Sequence, residues 1–190
     1  MFSGLLARNR AVILQRWIRL IFETYPPDTA SFLQREKDQF LNPVGYTIAQ
    51  ESKAILDGLA QGMPVEELGP VLDNIIRLRA VQDFSPSQAV SFVFLLKRVV
   101  HEALATDKGD KPSQEELLAF ESWVDGLALL AFDTYMRRRE RIFEIRTKEI
   151  RAHADRVRDR LNRIYGDVGQ PEQGPDDPLT GSSNNQRGSA

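Results

Sequence analysis

The stretch "QDFSPSQAVSFVFLLKRVV", residues 82–100, combines a clear helix start with a run that is apolar on nearly every side. Ser85 and Gln88 have the spacing of a capping box, in which each side chain can bind a backbone amide that the helix leaves free. Pro86 falls at the first helical position, where its missing N–H costs nothing. Because a helix that is apolar all round is surrounded by protein, residues 86–106 are predicted to form the central helix of a bundle.

Apolar residues at helical spacing predict further helices before this stretch. A first helix covers residues 2–24 and ends at the prolines of "YPPD". The segment "TASFLQREKDQF" that follows is irregular or helical. Asn42 as N-cap and Pro43 in the first turn predict another helix, which ends near Gly62. The pattern over residues 63–83 predicts a further helix, which its Gly-Pro pair interrupts. No segment shows the alternation of apolar and polar residues that is typical of a strand.

A second capping box, Ser113 and Glu116, starts a helical pattern that continues to Tyr165 without a proline. Up to Tyr135 the pattern is rich in large apolar residues, including Leu118, Leu129 and Phe132, and is predicted to belong to the bundle. Beyond it the apolar residues thin to a heptad seam, which is typical of a coiled coil. The seam comprises Phe143, Thr147, Ile150, Ala154, Val157, Leu161 and Ile164. The predicted fold class is therefore all-α: a compact multi-helix bundle with a long C-terminal helix that extends as a coiled coil.

Three segments follow from these patterns. Residues 1–136 are predicted to form the helical bundle, and residues 137–165 a basic heptad helix. Residues 166–190 are mainly Gly, Pro, Asp, Ser and Asn, a composition that predicts a disordered tail.

Charge is distributed unevenly along the chain, although the net charge is only −2. Residues 137–163 contain eleven Lys and Arg against five Asp and Glu, an excess of 11 − 5 = +6. Acidic residues are interleaved throughout this segment, and the basic residues overlap the apolar seam, which argues against nucleic-acid binding. The pattern suits a solvated coiled coil, and its positive charge suits an acidic partner or a membrane surface.

Composition and motifs exclude several classes of chemistry. The chain has no cysteine, so disulfides and thiolate metal sites are excluded. His101 and His153 are too far apart in sequence for a metal-ligand pair. A single histidine on an apolar helix is what a haem pocket needs, but a satisfied surface histidine is the preferred interpretation of His101. No catalytic motif or phosphate-binding loop is present, so no enzyme activity and no cofactor are expected. The sequence shows no secretory signal. It also has no apolar stretch close to the roughly 20 residues that a membrane-spanning helix needs, so a cytoplasmic location is expected.

Four polar residues next to the helix starts are the candidate recognition residues. Arg79, Gln82 and Asp83 directly precede the Phe84–Ser85 corner. They could line a pocket for a small ligand or a partner, or they could clamp the turn between two helices. Asn42 has the same two interpretations, with capping the simpler one.

Two long stretches carry a family resemblance. "TYPPDTASFLQREKDQFLNPVG" and "IRLRAVQDFSPSQAVSFVFLLKRVV" resemble the RsbRD N-terminal domain, the helical input module of RsbT co-antagonist proteins, over roughly residues 5–150. The resemblance implies a sensory or regulatory domain, globin-like in shape without haem, which a helical linker joins to an output domain such as a STAS domain or a kinase. Because the chain ends in a tail where that domain would begin, the resemblance implies an input module whose signal leaves through a partner protein.

Two hypotheses of function remain after these exclusions. The first is a non-enzymatic regulatory module of a bacterial signalling type, in which the C-terminal helix pairs with a second copy or with a partner's helix. The second is an accessory or assembly subunit that docks on a larger complex, with nucleic-acid binding through the basic helix a weaker variant.

Overall fold

The computed structural model describes residues 2–82, 84–109 and 111–166, and within them the chain contains six α-helices and no strand. The all-α prediction is therefore confirmed. Asp83 and the predicted tail beyond Gly166 lie outside the described residues. In chain order the elements are α1 at Phe2–Phe22, α2 at Pro27–Arg35, α3 at Pro43–Ala60, a 3-10 turn at Val65–Leu68, α4 at Gly69–Val81, α5 at Pro86–Thr106 and α6 at Gln114–Tyr165.

Capping side chains at the helix starts determine where α5 and α6 begin. In the α5 capping box, the Gln88 amide donates to Ser85 Oγ at 3.3 Å and the Ser85 amide donates to Gln88 Oε1 at 3.0 Å. The second box does the same at α6: the Glu116 amide donates to Ser113 Oγ at 3.1 Å, and the Ser113 amide to Glu116 Oε2 at 2.9 Å. Each pair satisfies amides that a helix start would leave unbonded, so both starts fall where the sequence predicts them.

The core forms where α1 packs against α5 and α3, and α4 packs against α3 and α5. Trp17 of α1 is fully buried, and its indole Nε1 donates to the Phe92 carbonyl of α5 at 2.8 Å. This bond satisfies the one polar atom of the indole, so the whole ring contributes apolar burial. The helix α5 thus fixes α1 through both packing and a hydrogen bond.

Two expectations about burial are wrong in detail. The helix α5 is not surrounded on every side, because Phe94 is 49 % exposed, although Phe92, Val93 and Leu96 are buried. On α6, the three residues Leu118, Leu129 and Phe132 are exposed rather than packed in the bundle. Both helices therefore carry apolar residues at positions that the bundle leaves exposed as well as at buried ones.

The chain divides into two compact units, with the boundary between Ile145 and Arg146. In the second unit every described residue is exposed except Thr147, which is partly buried. The predicted division at residues 136–137, the globin-like shape and the coiled coil stay predictions.

Candidate functional site at the start of α5

Arg79, near the end of α4, is fully buried although it carries a charge. Its Nη2 donates to Thr24 Oγ1 at 2.9 Å and to the Gln88 carbonyl at 3.1 Å. Thr24 lies in the turn after α1, which ends at Phe22, and Gln88 lies in the first turn of α5. The guanidinium therefore ties the ends of three helices together.

Aromatic rings surround this guanidinium. Its central carbon lies 4.3 Å from the ring centroid of Phe84, 5.4 Å from that of Tyr25 and 5.7 Å from that of Phe92. The Tyr25 and Phe84 rings also meet edge to face, with centroids 5.1 Å apart. A cation over desolvated rings is stabilised by about 2 kcal/mol or more, which partly offsets the loss of hydration at Arg79.

Three polar atoms at this corner are buried without a hydrogen-bond partner in the described structure: Arg79 Nε, Arg79 Nη1 and Tyr25 Oη. Burial lowers the pKa of Arg79, but an arginine stays charged in proteins. Burial raises the pKa of Tyr25 more than the Arg79 charge lowers it, so the phenol keeps its proton and is a donor. Buried donors without acceptors are uncommon, and they make this corner the strongest candidate for a site.

A cleft of about 490 Å³ opens above this cluster. Among the described residues, no carboxylate lines it. The lining residues are Thr24, Tyr25, Pro26, Thr29, Gln82, Phe84 and Gln88.

The four predicted recognition residues fall in different places. Gln82 lines the cleft and Arg79 lies beneath its lining, while Asp83 is outside the described residues. Asn42 makes its hydrogen bonds elsewhere, with the end of α2 and the start of α3. Sequence reasoning missed Tyr25 as the ring neighbour of Arg79, although both residues belong to the stretches that carry the family resemblance.

Asn42 is almost completely buried, and its side chain makes three hydrogen bonds. Its Oδ1 accepts from the Gly45 amide at 2.8 Å, which caps α3. Its Nδ2 donates to the carbonyls of Glu36 at 2.9 Å and Leu33 at 3.3 Å. A Cβ at Gly45 would overlap the Asn42 amide, whose Cγ would be only 2.8 Å away, so a glycine is required at that position.

A second groove, of about 370 Å³, lies between α1, α2 and α3. Ile18, Phe22 and Leu33 contribute its apolar part, and Tyr46 lines it as well. None of the cleft-lining residues at the start of α5 contributes to this groove, so the two are separate.

The predicted dimer seam is exposed in the described part of α6. Its members Phe143, Ile150, Ala154, Val157, Leu161 and Ile164 are all accessible, with Phe143 and Ile150 at 72 % and 70 %. Between them lie charged residues that pair locally, such as Arg158 with Asp155 at 3.0 Å.

The two other predicted features concern metal sites and membranes. His101 Nε2 lies 3.0 Å from Glu121 Oε1 on the surface of the bundle. Within the described residues no cluster of His, Asp and Glu could hold a metal ion. No helix in the described part of the chain has both the length and the hydropathy needed to cross a bilayer.

Comparison with known proteins identifies the family. The model of the RsbT co-antagonist protein RsbRD N-terminal domain matches residues 11–150, and the chain belongs to this family. Members are regulatory input domains of the bacterial stress-signalling type. An uncharacterized protein of Archaeoglobus fulgidus is 25 % identical over 155 residues, which cover 79 % of this chain and 90 % of that protein. No solved structure matches the chain significantly.

Proposed function

We propose that the protein is a non-enzymatic regulatory module that acts through protein contacts, and that its C-terminal helical segment pairs with a second copy of the chain. The observation that carries the proposal is the seam of exposed apolar residues at heptad spacing, from Phe143 to Ile164. The family context supports it, because RsbRD-type domains work through protein partners.

Burial of the seam supplies the driving force for pairing. Fully burying a side chain of the size of Ile, Val or Leu is worth about 1.5–3 kcal/mol. Five large apolar residues per chain lie on the seam: Phe143, Ile150, Val157, Leu161 and Ile164. A narrow apolar stripe with charged flanks is the pattern that knobs-into-holes packing between two helices requires.

The competing function is that of an accessory subunit whose basic helix docks on an acidic partner. The effect of salt on association distinguishes these two functions. Two copies of a segment with an excess of 11 − 5 = +6 charges repel each other, so salt screening strengthens a homodimer. Docking on an acidic partner is an attraction between opposite charges, so the same salt weakens it.

The test is the solution mass of the variant with Val157→Gln and Leu161→Gln, measured by light scattering during size-exclusion chromatography. We expect a monomer, because two central seam positions become polar. The matched control carries Arg156→Gln and Arg160→Gln, two exposed positions of the same segment outside the seam, and should stay dimeric.

Thermal unfolding followed by circular dichroism accompanies both variants. The bundle unit should melt as in the wild type, because none of the four positions is buried. A Val157/Leu161 variant that remains a dimer would show that the seam is not the contact.

A further inference from the structure

The geometry points to a binding site for a small organic carboxylate in the cleft at the start of α5, with Tyr25 as its hydrogen-bond donor and the charge of Arg79 beneath it. This site is independent of the pairing proposed for the C-terminal segment, and its test uses a binding measurement rather than the mass of the protein.

Unpaired donors are the first argument. Tyr25 is only 7 % exposed, lines the cleft, and its hydroxyl has no partner among the described residues. Two N–H-bearing atoms of Arg79, Nε and Nη1, are also unpaired, and the central carbon of this guanidinium lies 5.4 Å from the centroid of the Tyr25 ring. Donors that are buried away from water are stabilised by an acceptor, and a charged acceptor forms the stronger hydrogen bond.

The electrostatic surroundings favour an anion. The helix α2 begins beside the cleft without any side-chain cap at Pro26, and Thr29 of its first turns lines the cleft. The start of α5 contributes Gln88. Helix starts carry partial positive charge, and here two of them adjoin one buried guanidinium. Asp28 lies in the first turn of α2 but lines a neighbouring cleft with Arg35 rather than this one.

The remaining lining residues indicate which chemical group the carboxylate of the ligand is attached to. Phe84 and Pro26 present apolar surfaces, and the side-chain amide of Gln82 can donate or accept. Gln88 can donate through its Nε2, since its Oε1 already accepts from the Ser85 amide. At about 490 Å³, the cleft is within the usual size range of small-molecule sites. A carboxylate attached to a small apolar or aromatic group matches these features, whereas an inorganic anion would leave the apolar walls unused.

Sodium benzoate is the probe, and the full chain is titrated with it while two-dimensional amide NMR spectra are recorded. We expect saturable shifts at Thr29, Gln82 and Gln88. Benzamide has the same ring without the charge and should cause much weaker shifts. No saturable shift with benzoate, or equal shifts with benzamide or inorganic phosphate, would overturn the proposal.

A matched pair of tyrosine variants locates the binding. Tyr25→Phe removes an unpaired hydroxyl, so the protein should fold normally and bind benzoate about tenfold more weakly. Tyr46→Phe makes the same change in the separate groove between α1, α2 and α3 and should leave the Kd for benzoate unchanged. Arg79→Met should abolish binding. An unchanged Kd in Tyr25→Phe would refute the site even if Arg79→Met failed to fold.

Discussion

Asn42 offers the sharpest test of how the bundle is held together, because one side chain joins the end of α2 to the start of α3. Its Oδ1 caps α3 at the Gly45 amide, and its Nδ2 donates to the carbonyls of Leu33 and Glu36. Asn42→Ala removes all three hydrogen bonds at once. Because the residue is only 2 % exposed, water cannot easily replace them.

The expected loss follows from the individual bonds. Replacing an N-cap asparagine by alanine costs about 1 kcal/mol, and each further buried hydrogen bond contributes about 1 kcal/mol. With one cap and two donated bonds, Asn42→Ala should lower the free energy of unfolding by about 2–4 kcal/mol. Urea denaturation followed by circular dichroism measures this difference.

Asn42→Asp separates the cap from the two donated bonds. Aspartate caps a helix about as well as asparagine, but it has no N–H to donate and would set a carboxylate against the Leu33 and Glu36 carbonyls. We therefore expect Asn42→Asp to be clearly less stable than the wild type. A wild-type stability in Asn42→Asp would refute the role of the donated bonds, and a loss below about 0.5 kcal/mol in Asn42→Ala would refute the whole assignment.

Two further predictions concern burial and pH. Leu127→Ala should cost about 2–5 kcal/mol in urea denaturation, because Leu127 is fully buried. Leu129→Ala, two residues further on the same helix but 69 % exposed, should change stability by less than about 0.5 kcal/mol, and equal losses would contradict the described packing. Hydrogen bonds from Arg8, then from Asn9, lower the pKa of Asp107 to about 2. Since this is below the ordinary value near 3.9, the carboxylate stabilises the fold above about pH 4, and that contribution disappears as the pH falls towards 2. The Tm difference between wild type and Asp107→Asn should therefore be present at neutral pH and shrink below about pH 4. The control Asp133→Asn replaces an exposed carboxylate and should have nearly the same Tm as the wild type at each pH.

Helix starts are the part of the fold that the sequence predicts best. The signals for α5 and α6 lie within four consecutive residues, Ser85 to Gln88 and Ser113 to Glu116, and each pair forms the bonds expected of it. Asn42 and Pro43 likewise start α3. These contacts are local, so no knowledge of the remaining chain is needed to predict them.

The choice of buried face could not be predicted in the same way. Leu127 and Leu129 are the same residue type on the same helix, yet only the first is buried. Phe94 likewise looks like a core residue in sequence and is half exposed. Which face of a helix is covered depends on neighbours that are distant in the chain.

The corner site was predictable in its location but not in its chemistry. The polar residues before Ser85 identify the turn, and Gln82 does line the cleft. The burial of Arg79 depends on Tyr25 and on Thr24, which lies 55 residues earlier in the chain. No spacing rule connects an arginine to an aromatic ring over such a separation, so the buried guanidinium with two unpaired nitrogen atoms emerges only from the structure.

The solution mass of the unmodified chain tests the proposed regulatory pairing most directly. Light scattering should give twice the 21.6 kDa of one chain, and added salt should not dissociate the dimer. Ala154→Glu, on the seam, should reduce the mass to that of one chain, whereas Ala152→Glu, an exposed alanine on the opposite face of the same helix, should leave the dimer intact. A mass of 21.6 kDa for the unmodified chain at every protein concentration would contradict pairing through the seam.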